Sequence, residues 1–249
     1  PVGPPSALDT ARIVALGGQV KRLGYGSMRG YAAGVPVDKL DDLALGFEVR
    51  SVSYDRKVTP SLDIARLVSD GQGSVPVSSP ASPAGTHFAG KGVTIAVIDS
   101  GIAQHEDLQD AAGQSRILGR MSFIGTVVTD DYGHGTHVAG IIAGAGRSSS
   151  GPQAFRNFGG IAPEASLISL KVLNETGEGR VSDLIAAMDW VLTNQTRYNI
   201  RVVNMSIGSP VFESWTTDPL CQAAEKLVAS GVNVVVSAGN WGTYGYGTV

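Results

Sequence analysis

Two histidines three residues apart, His134 and His137, lie among glycines and small side chains in GHGTHVAG, residues 133–140. An imidazole titrates near neutral pH, so such a ring can take a proton from a nucleophile and return it to a leaving group. The spacing also suits an HxxH pair of metal ligands on one helix. A zinc site needs a third ligand, and the sequence contains neither an HExxH pattern nor a cysteine cluster. The acid–base interpretation is favoured, and it requires partners elsewhere in the chain.

Three polar residues end or interrupt apolar runs further along the chain. Asp99 follows VTIAVI, Ser206 follows RVVNM, and Asn240 follows VNVVVSAG. In open parallel sheets, functional groups gather in the crevice outside the carboxyl ends of the strands. Taken alone, Asp99 could simply cap a turn, as aspartate commonly does at strand ends. Its occurrence together with the histidine segment and the other two positions favours a functional site.

The elements that position these residues follow from the apolar patterns. Near-continuous apolar runs at 93–99, 166–173, 201–207 and 232–238 predict strands of a parallel sheet that is covered on both faces. Helices are predicted over 134–145, after a cap at Ser182, and after Asp218 and Pro219. The predicted apolar helix positions are Val138, Ile141, Ile142, Ala145, Leu184, Ile185, Met188, Val191, Leu192, Leu220, Ala223, Ala224, Leu227 and Val228. This alternation predicts a doubly wound α/β layer.

A smaller unit precedes this layer. Residues 1–9 and 69–90 are rich in Pro, Gly, Ser and Ala and are interpreted as flexible or extended connectors. Between them, residues 10–68 predict a small α+β domain with short strands at 12–16, 26–35 and 47–55. A helix is predicted over 37–45, with an apolar stripe of Val37, Leu40, Leu43 and Ala44. A unit of this size gains stability by docking on something larger.

Composition narrows the possible partners. The chain has 249 residues, of which 43% are hydrophobic and 16% charged, so it can bury a sizeable core. A net charge of −3 provides no basic face for nucleic acid or anionic lipid, and no apolar run is long enough to span a membrane. No phosphate-binding glycine motif is present, which disfavours a nucleotide-binding protein. The single cysteine, Cys221, is predicted to be a small core residue.

Four blocks in one order give the sequence its resemblance to the subtilisin-like serine proteases. They are VIDSG (97–101), HGTHVAG (134–140), VVNMSIG (202–208) and SAGN (237–240), and the match covers roughly residues 91–242. The resemblance implies that Asp99 and His134 are two members of a catalytic triad and that Asn240 donates a hydrogen bond to the oxyanion. It also implies that Ser206, Ile207 and Gly208 line the substrate cleft, and that His137 has a structural role.

The nucleophile of the family is missing. It belongs to a GTSxA-type segment well after the SAGN block, whereas this sequence ends nine residues beyond Asn240. None of Ser100, Ser206 and Ser237 stands at a glycine-flanked helix start of the required kind. One expectation is a fragment of a longer protease, in keeping with a start at Pro1 without methionine or signal peptide. The alternative is a naturally short, non-catalytic peptide-binding protein.

The unit before residue 69 resembles, more weakly, the prodomains of this family. A prodomain assists folding and inhibits the cleft until it is removed, and the 69–90 connector is a suitable place for processing. The alternative is an accessory domain. The resemblance implies a secreted, monomeric endopeptidase that acts on extended polypeptides and needs no cofactor for its chemistry. Family members often bind structural Ca²⁺, but no loop identifies a site here.

Four further polar residues lie outside the four blocks. Asp130 and Asp131 precede the 134–145 helix, where carboxylates favour its positive end, and a basic substrate side chain is a second possible partner for them. His87 and His105 belong to no motif and are expected at exposed loop positions.

Overall fold

The chain begins with a small unit of two helices and short strands. The computed structural model describes residues 7–22, 30–45, 49, 51–55, 57–60, 89–153 and 158–239 of the 249. The elements of the first part are, in order, α1 (Ala7–Ala15), β1 (Gln19–Arg22), β2 (Ala32–Gly34), α2 (Leu40–Ala44) and β3 (Lys57–Pro60). β1 and β2 pair antiparallel, whereas β3 pairs with two strands of the following part.

Five parallel strands form the central sheet of that following part. Its elements are β4 (Thr94–Asp99), β5 (Ile117–Ser122), α3 (His134–Ala143), β6 (Ser166–Lys171), β7 (Gly179–Arg180), α4 (Val181–Tyr198), β8 (Ile200–Met205), β9 (Ile207–Gly208), α5 (Pro219–Ala229) and β10 (Asn233–Val236). The strand order is β10-β8-β4-β6-β5, with every neighbouring pair parallel. The chain first fills one side of β4 and then the other, so the carboxyl end of β4 lies at a topological switch point, where a crevice opens.

Helices cover both faces of the sheet at β4, whose successive side chains point to opposite sides. Cover on both faces, which was also predicted for the 232–238 strand, is not found at the edge strand β10, where Val235 and Val236 are 51% and 58% exposed. Ala96 and Ile98 pack in a core cluster with residues of α4 and α5. Ile95 and Val97 pack in a second cluster with residues of α3. Each fully buried aliphatic side chain contributes about 1.5–3 kcal/mol through loss of apolar surface from water. The predicted doubly wound α/β layer is therefore confirmed.

The start and end of α5 are also as predicted. Asp218 accepts a hydrogen bond from the Leu220 N–H at 2.8 Å, and Pro219 is the first helical residue. Gly231 lies just past the helix with φ +87°, a backbone conformation that favours glycine. Within the described residues, no helix is both long and apolar enough to cross a membrane.

Three predictions about helix residues are wrong. Ser182 does not cap α4, because the helix already begins at Val181 and Ser182 lies in its first turn. Cys221 is exposed rather than part of the core. The buried positions of α5 are Ala223 and Leu227, and a residue two positions away from Ala223 lies about 200° around the helix. Val228, also predicted on the apolar face, is 58% exposed.

The predictions for the first unit are only partly correct. The run predicted as a strand at 12–16 falls mostly within α1, which begins at Ala7, inside the predicted connector. β2 lies within the predicted 26–35 strand, of which 26–29 are outside the described residues, and 51–55 form no strand. The 37–45 helix is confirmed as a 3₁₀ turn followed by α2. Its apolar stripe is not, because Leu43 is buried whereas Val37 is 83% exposed.

Candidate active site

Asp99 ends β4 as a fully buried carboxylate. Its exposed fraction is 0%, so its charge has to be stabilised by hydrogen-bond donors. Oδ1 accepts from the Ser100 N–H at 2.7 Å and from the Ser100 hydroxyl at 3.2 Å. These contacts fix the orientation of the carboxylate at the mouth of the crevice.

His134, the first residue of α3, faces this carboxylate. Its Nδ1 lies 2.8 Å from Oδ1 and 2.9 Å from Oδ2 of Asp99, and its side chain is only 11% exposed. Because an ionised carboxylate can only accept, Nδ1 carries the proton in this contact. The neutral ring then holds its lone pair on Nε2, which is the state that a general base requires.

The close approach of α3 to β4 depends on Gly135. A Cβ at this position would lie 2.1 Å from the carbonyl oxygen of Gly101 and 3.1 Å from the Asp99 Cβ. The Gly135 N–H donates to the Ser100 hydroxyl at 2.9 Å, which links the two segments directly. A larger residue would push the helix, and His134 with it, away from Asp99.

Asp130 caps α3. Its carboxylate accepts from the Gly133 N–H at 2.7 Å, from the Thr136 N–H at 2.8 Å and from the Thr136 hydroxyl at 2.5 Å. Burial favours the protonated form of Asp130, but these hydrogen bonds outweigh burial and lower its pKa below the ordinary aspartate value. The carboxylate therefore stabilises the helix start that carries His134.

A buried lysine links the segments that carry Asp99 and His134. The side chain of Lys171, at the end of β6, is 4% exposed. Its Nζ donates to the carbonyl of Ser100 at 3.0 Å and to the carbonyl of Thr129 at 2.9 Å, and it lies 3.3 Å from Oδ2 of Asp131. One ammonium thus contacts both the residue after Asp99 and the loop that leads to His134. Lys171 was not predicted as a site residue, because the apolar pattern of its strand gives no sign of a polar partner.

A short antiparallel sheet lies beside these residues, with β3 as its middle strand between β7 and β9. Lys57 pairs with Arg180 and Val58 with Gly179. Thr59 pairs with Gly208, and Pro60 with Ile207. An extended segment of the chain itself therefore lies against the predicted cleft-lining residues Ile207 and Gly208. Ser206, which precedes them, is buried and its hydroxyl accepts from Asn204 at 2.9 Å.

Residues just upstream of β3 make two polar contacts with the larger part. Asp55 accepts from the Ser182 N–H at 3.0 Å and from its hydroxyl at 2.8 Å. The residue at the N-cap position of α4, Arg180, makes no side-chain cap, so the Asp55 carboxylate takes that place. Ser53 donates to Glu213 at 3.3 Å.

The remaining predicted site residues have mixed outcomes. Asn240 and His87 lie outside the described residues, so the oxyanion role stays a prediction. His137 is exposed, which contradicts a packing role. His105 is at a partly exposed loop position, as expected, and accepts from the Asp107 N–H. Asp130 and Asp131 are engaged by α3 and Lys171. In the described part of the chain, no group of three His, Cys, Asp or Glu side chains is arranged to hold a metal ion.

The fold and this site define a subtilisin-type α/β protein. Residues 90–248 match the family model described as the subtilase family, and the chain belongs to that family. Among similar proteins, serine protease AprX of Bacillus subtilis is 37% identical over 205 residues, covering 78% of this chain and 42% of AprX. Subtilisin DY of Bacillus licheniformis is 38% identical (64% and 51% covered), and minor extracellular protease Epr of Bacillus subtilis is 40% identical (62% and 21%).

These matches cover part of each relative's length, and one of them includes residues before 90. The chain spans about half the length of these relatives or less. The AprX match covers more of the chain than residues 90–249 can supply, so the similarity extends into residues before 90. The first unit is therefore shared, at least in part, with that protease.

Proposed function

We propose that this chain carries the aspartate and histidine of a serine endopeptidase with an Asp-His-Ser triad. His134 acts as general base and then general acid through Nε2, and Asp99 fixes its tautomer and stabilises the imidazolium. The contact of Nδ1 with both oxygens of Asp99, at 2.8 and 2.9 Å, is the observation that carries the proposal. The serine is supplied by a segment after residue 249, and Asn240 donates to the oxyanion.

The substrate in this proposal is an extended polypeptide that pairs with β7 and β9. Main-chain hydrogen bonds along such edges provide affinity with little dependence on sequence. The antiparallel pairing of β3 with both strands supports the proposal, since β3 is itself an extended segment held in this way.

The same pairing supports synthesis as a zymogen. In the proposal, residues 10–68 form a prodomain whose β3 occupies the cleft and blocks substrate. The contacts of Asp55 with Ser182 and of Ser53 with Glu213 add to its hold. Secretion of a monomeric enzyme follows as a further proposal, since a protease is kept inactive until it leaves the cell. The name of one relative, a minor extracellular protease, is consistent with secretion.

The pairing of β3 with β7 and β9 also favours a second candidate, a peptide-binding protein without catalysis, because strand pairing needs no nucleophile. A fluorophosphonate probe applied to the complete protein distinguishes the two. The protease proposal predicts labelling of one serine after residue 249, and loss of labelling in His134→Ala and Asp99→Asn. Labelling that is absent, or unchanged in both variants, would overturn it in favour of peptide binding alone.

A further inference from the structure

The loop between β9 and α5, residues 209–218, has an unusual concentration of exposed apolar side chains. Val211 is 84% exposed, Phe212 68% and Trp215 70%. Single exposed hydrophobic residues are ordinary on protein surfaces, but three within five residues are typical of a binding surface. Aromatic side chains in particular contribute strongly to interfaces, because they provide a large contact area with few rotatable bonds.

Hydrogen bonds hold the second half of this loop in place. The Ser214 carbonyl accepts from the N–H groups of Thr217 and Asp218, both at 2.9 Å. The Thr216 carbonyl accepts from the Gln222 side chain of α5 at 3.0 Å. Trp215 therefore belongs to a turn anchored on a helix, which lowers the entropy lost when the loop binds a partner.

The loop directly continues the strand that lines the cleft. β9 ends at Gly208, and the pairing of Pro60 with Ile207 and Thr59 with Gly208 fixes the direction of a peptide on it. Upstream residues of such a peptide run toward the residues after Gly208. The contact of Ser53 with Glu213, within the loop, marks this path.

Residues 51–55, which lie upstream of β3 and contact the loop through Ser53, leave the apolar side chains of the loop exposed. Val52 and Tyr54, on either side of Ser53, are 48% and 78% exposed. Ser53 of the segment contacts the loop through a polar side chain, that of Glu213. A different chain on the same path is therefore free to cover Val211, Phe212 and Trp215 with apolar side chains.

We infer that Val211, Phe212 and Trp215 form an extended subsite for polypeptide substrates. It takes apolar side chains at the positions aligned with residues 52–54, upstream of the strand-paired residues. This inference rests on the proposed protease function. The subsite binds the substrate equally in the ground state and the transition state in this proposal, so its loss raises KM and leaves kcat unchanged.

The test uses the complete, processed protease and three peptides that share one cleaved core. The short peptide ends at the strand-paired residues, and two longer ones carry either Leu-Phe-Leu or Ser-Gly-Ser at the positions aligned with 52–54. We expect kcat/KM to be about 5- to 10-fold higher for the apolar extension than for the polar one, through KM. The double variant Phe212→Ser, Trp215→Ser should bring this ratio close to one.

Two controls separate the subsite from other effects. The short peptide should be cleaved equally by parent and double variant, which also shows that the variant is folded. Phe158→Ser removes the same residue type at 67% exposure from another loop and should keep the parent ratio. An unchanged ratio in the double variant, or an equal loss on the short peptide, would overturn the inference. Failure of the parent to cleave any peptide would overturn the proposed function, and the inference with it.

Discussion

Removal of the Asp55 carboxylate should loosen the hold of β3 on the cleft. Asp55 accepts two hydrogen bonds from Ser182 and takes the place of a cap for α4. Hydrogen bonds to a charged group contribute about 1.5–3 kcal/mol, and loss of an N-cap costs about 1 kcal/mol. Because Asp55 and Ser182 are both partly solvent-exposed, we take about 1–2 kcal/mol for Asp55→Ala. At 1.36 kcal/mol per decade this makes opening of the segment about 5- to 30-fold more frequent.

Amide hydrogen exchange measures this opening in the complete protein carrying His134→Ala, which removes the proposed general base and is expected to prevent self-processing. Peptic fragments that contain residues 179–180 and 207–208 should exchange about 5- to 30-fold faster in Asp55→Ala than in the Asp55 parent. Fragments from the β4–β6 pair serve as the internal control and should not change. Ser182→Ala, which removes only the hydroxyl contact, should give a smaller increase. Equal exchange at 179–180 and 207–208 with and without the carboxylate would show that Asp55 does not hold β3 in place.

Three further predictions concern the support of the site. Gly135→Ala should lower kcat/KM in a peptide assay by about 100-fold, because a Cβ there meets the Gly101 carbonyl. Gly140→Ala on the same helix has open space around its Cβ and should be close to neutral. Equal effects of the two substitutions would contradict this prediction. Lys171→Met leaves the buried Ser100 carbonyl and the part-buried Thr129 carbonyl without their donor. It should cost about 1–3 kcal/mol in urea unfolding, and a loss below about 0.5 kcal/mol would count against the linking role. The pKa of Asp130 is lowered on folding, so its contribution to the free energy of unfolding is complete above the unfolded value near 4 and is lost as pH falls through the folded value. Asp130→Asn should therefore make the free energy of unfolding less dependent on pH in the acid range. Parallel curves for the parent and the variant would exclude this contribution.

The sheet, and the Asp99–His134 pair at the carboxyl end of β4, could be predicted from the sequence for a physical reason. Strands covered on both faces are apolar throughout, so the runs around Val97 and Val203 could be identified as strands of a parallel sheet. Polar residues that end such runs are conspicuous, which is how Asp99 was found. β5 was not predicted, because it is an edge strand whose residues Leu118 and Met121 remain exposed, and its pattern is correspondingly mixed.

The missed features depend on contacts between residues far apart in the chain. Asp55 and Ser182 are 127 residues apart, and no local pattern relates them. Ser182 itself has the residue type of a cap, but the cap is provided from outside the helix. The run at 12–16 is short and apolar, which suits a strand or a helix equally. Ala7, Leu8 and Ala11 before it have high helix propensity and favour α1.

The proposed role of His134 is tested most directly by kcat on a peptide substrate, measured for two histidine variants of the complete protein after a second protease has removed the proposed prodomain. His134 and His137 are three residues apart on α3, but only His134 contacts Asp99. His134→Ala is expected to lower kcat by about 10⁴-fold or more, whereas His137→Ala, at an exposed position, should stay within about threefold of the parent. A His134→Ala variant that retained kcat within about tenfold would contradict the assignment of this residue as the general base.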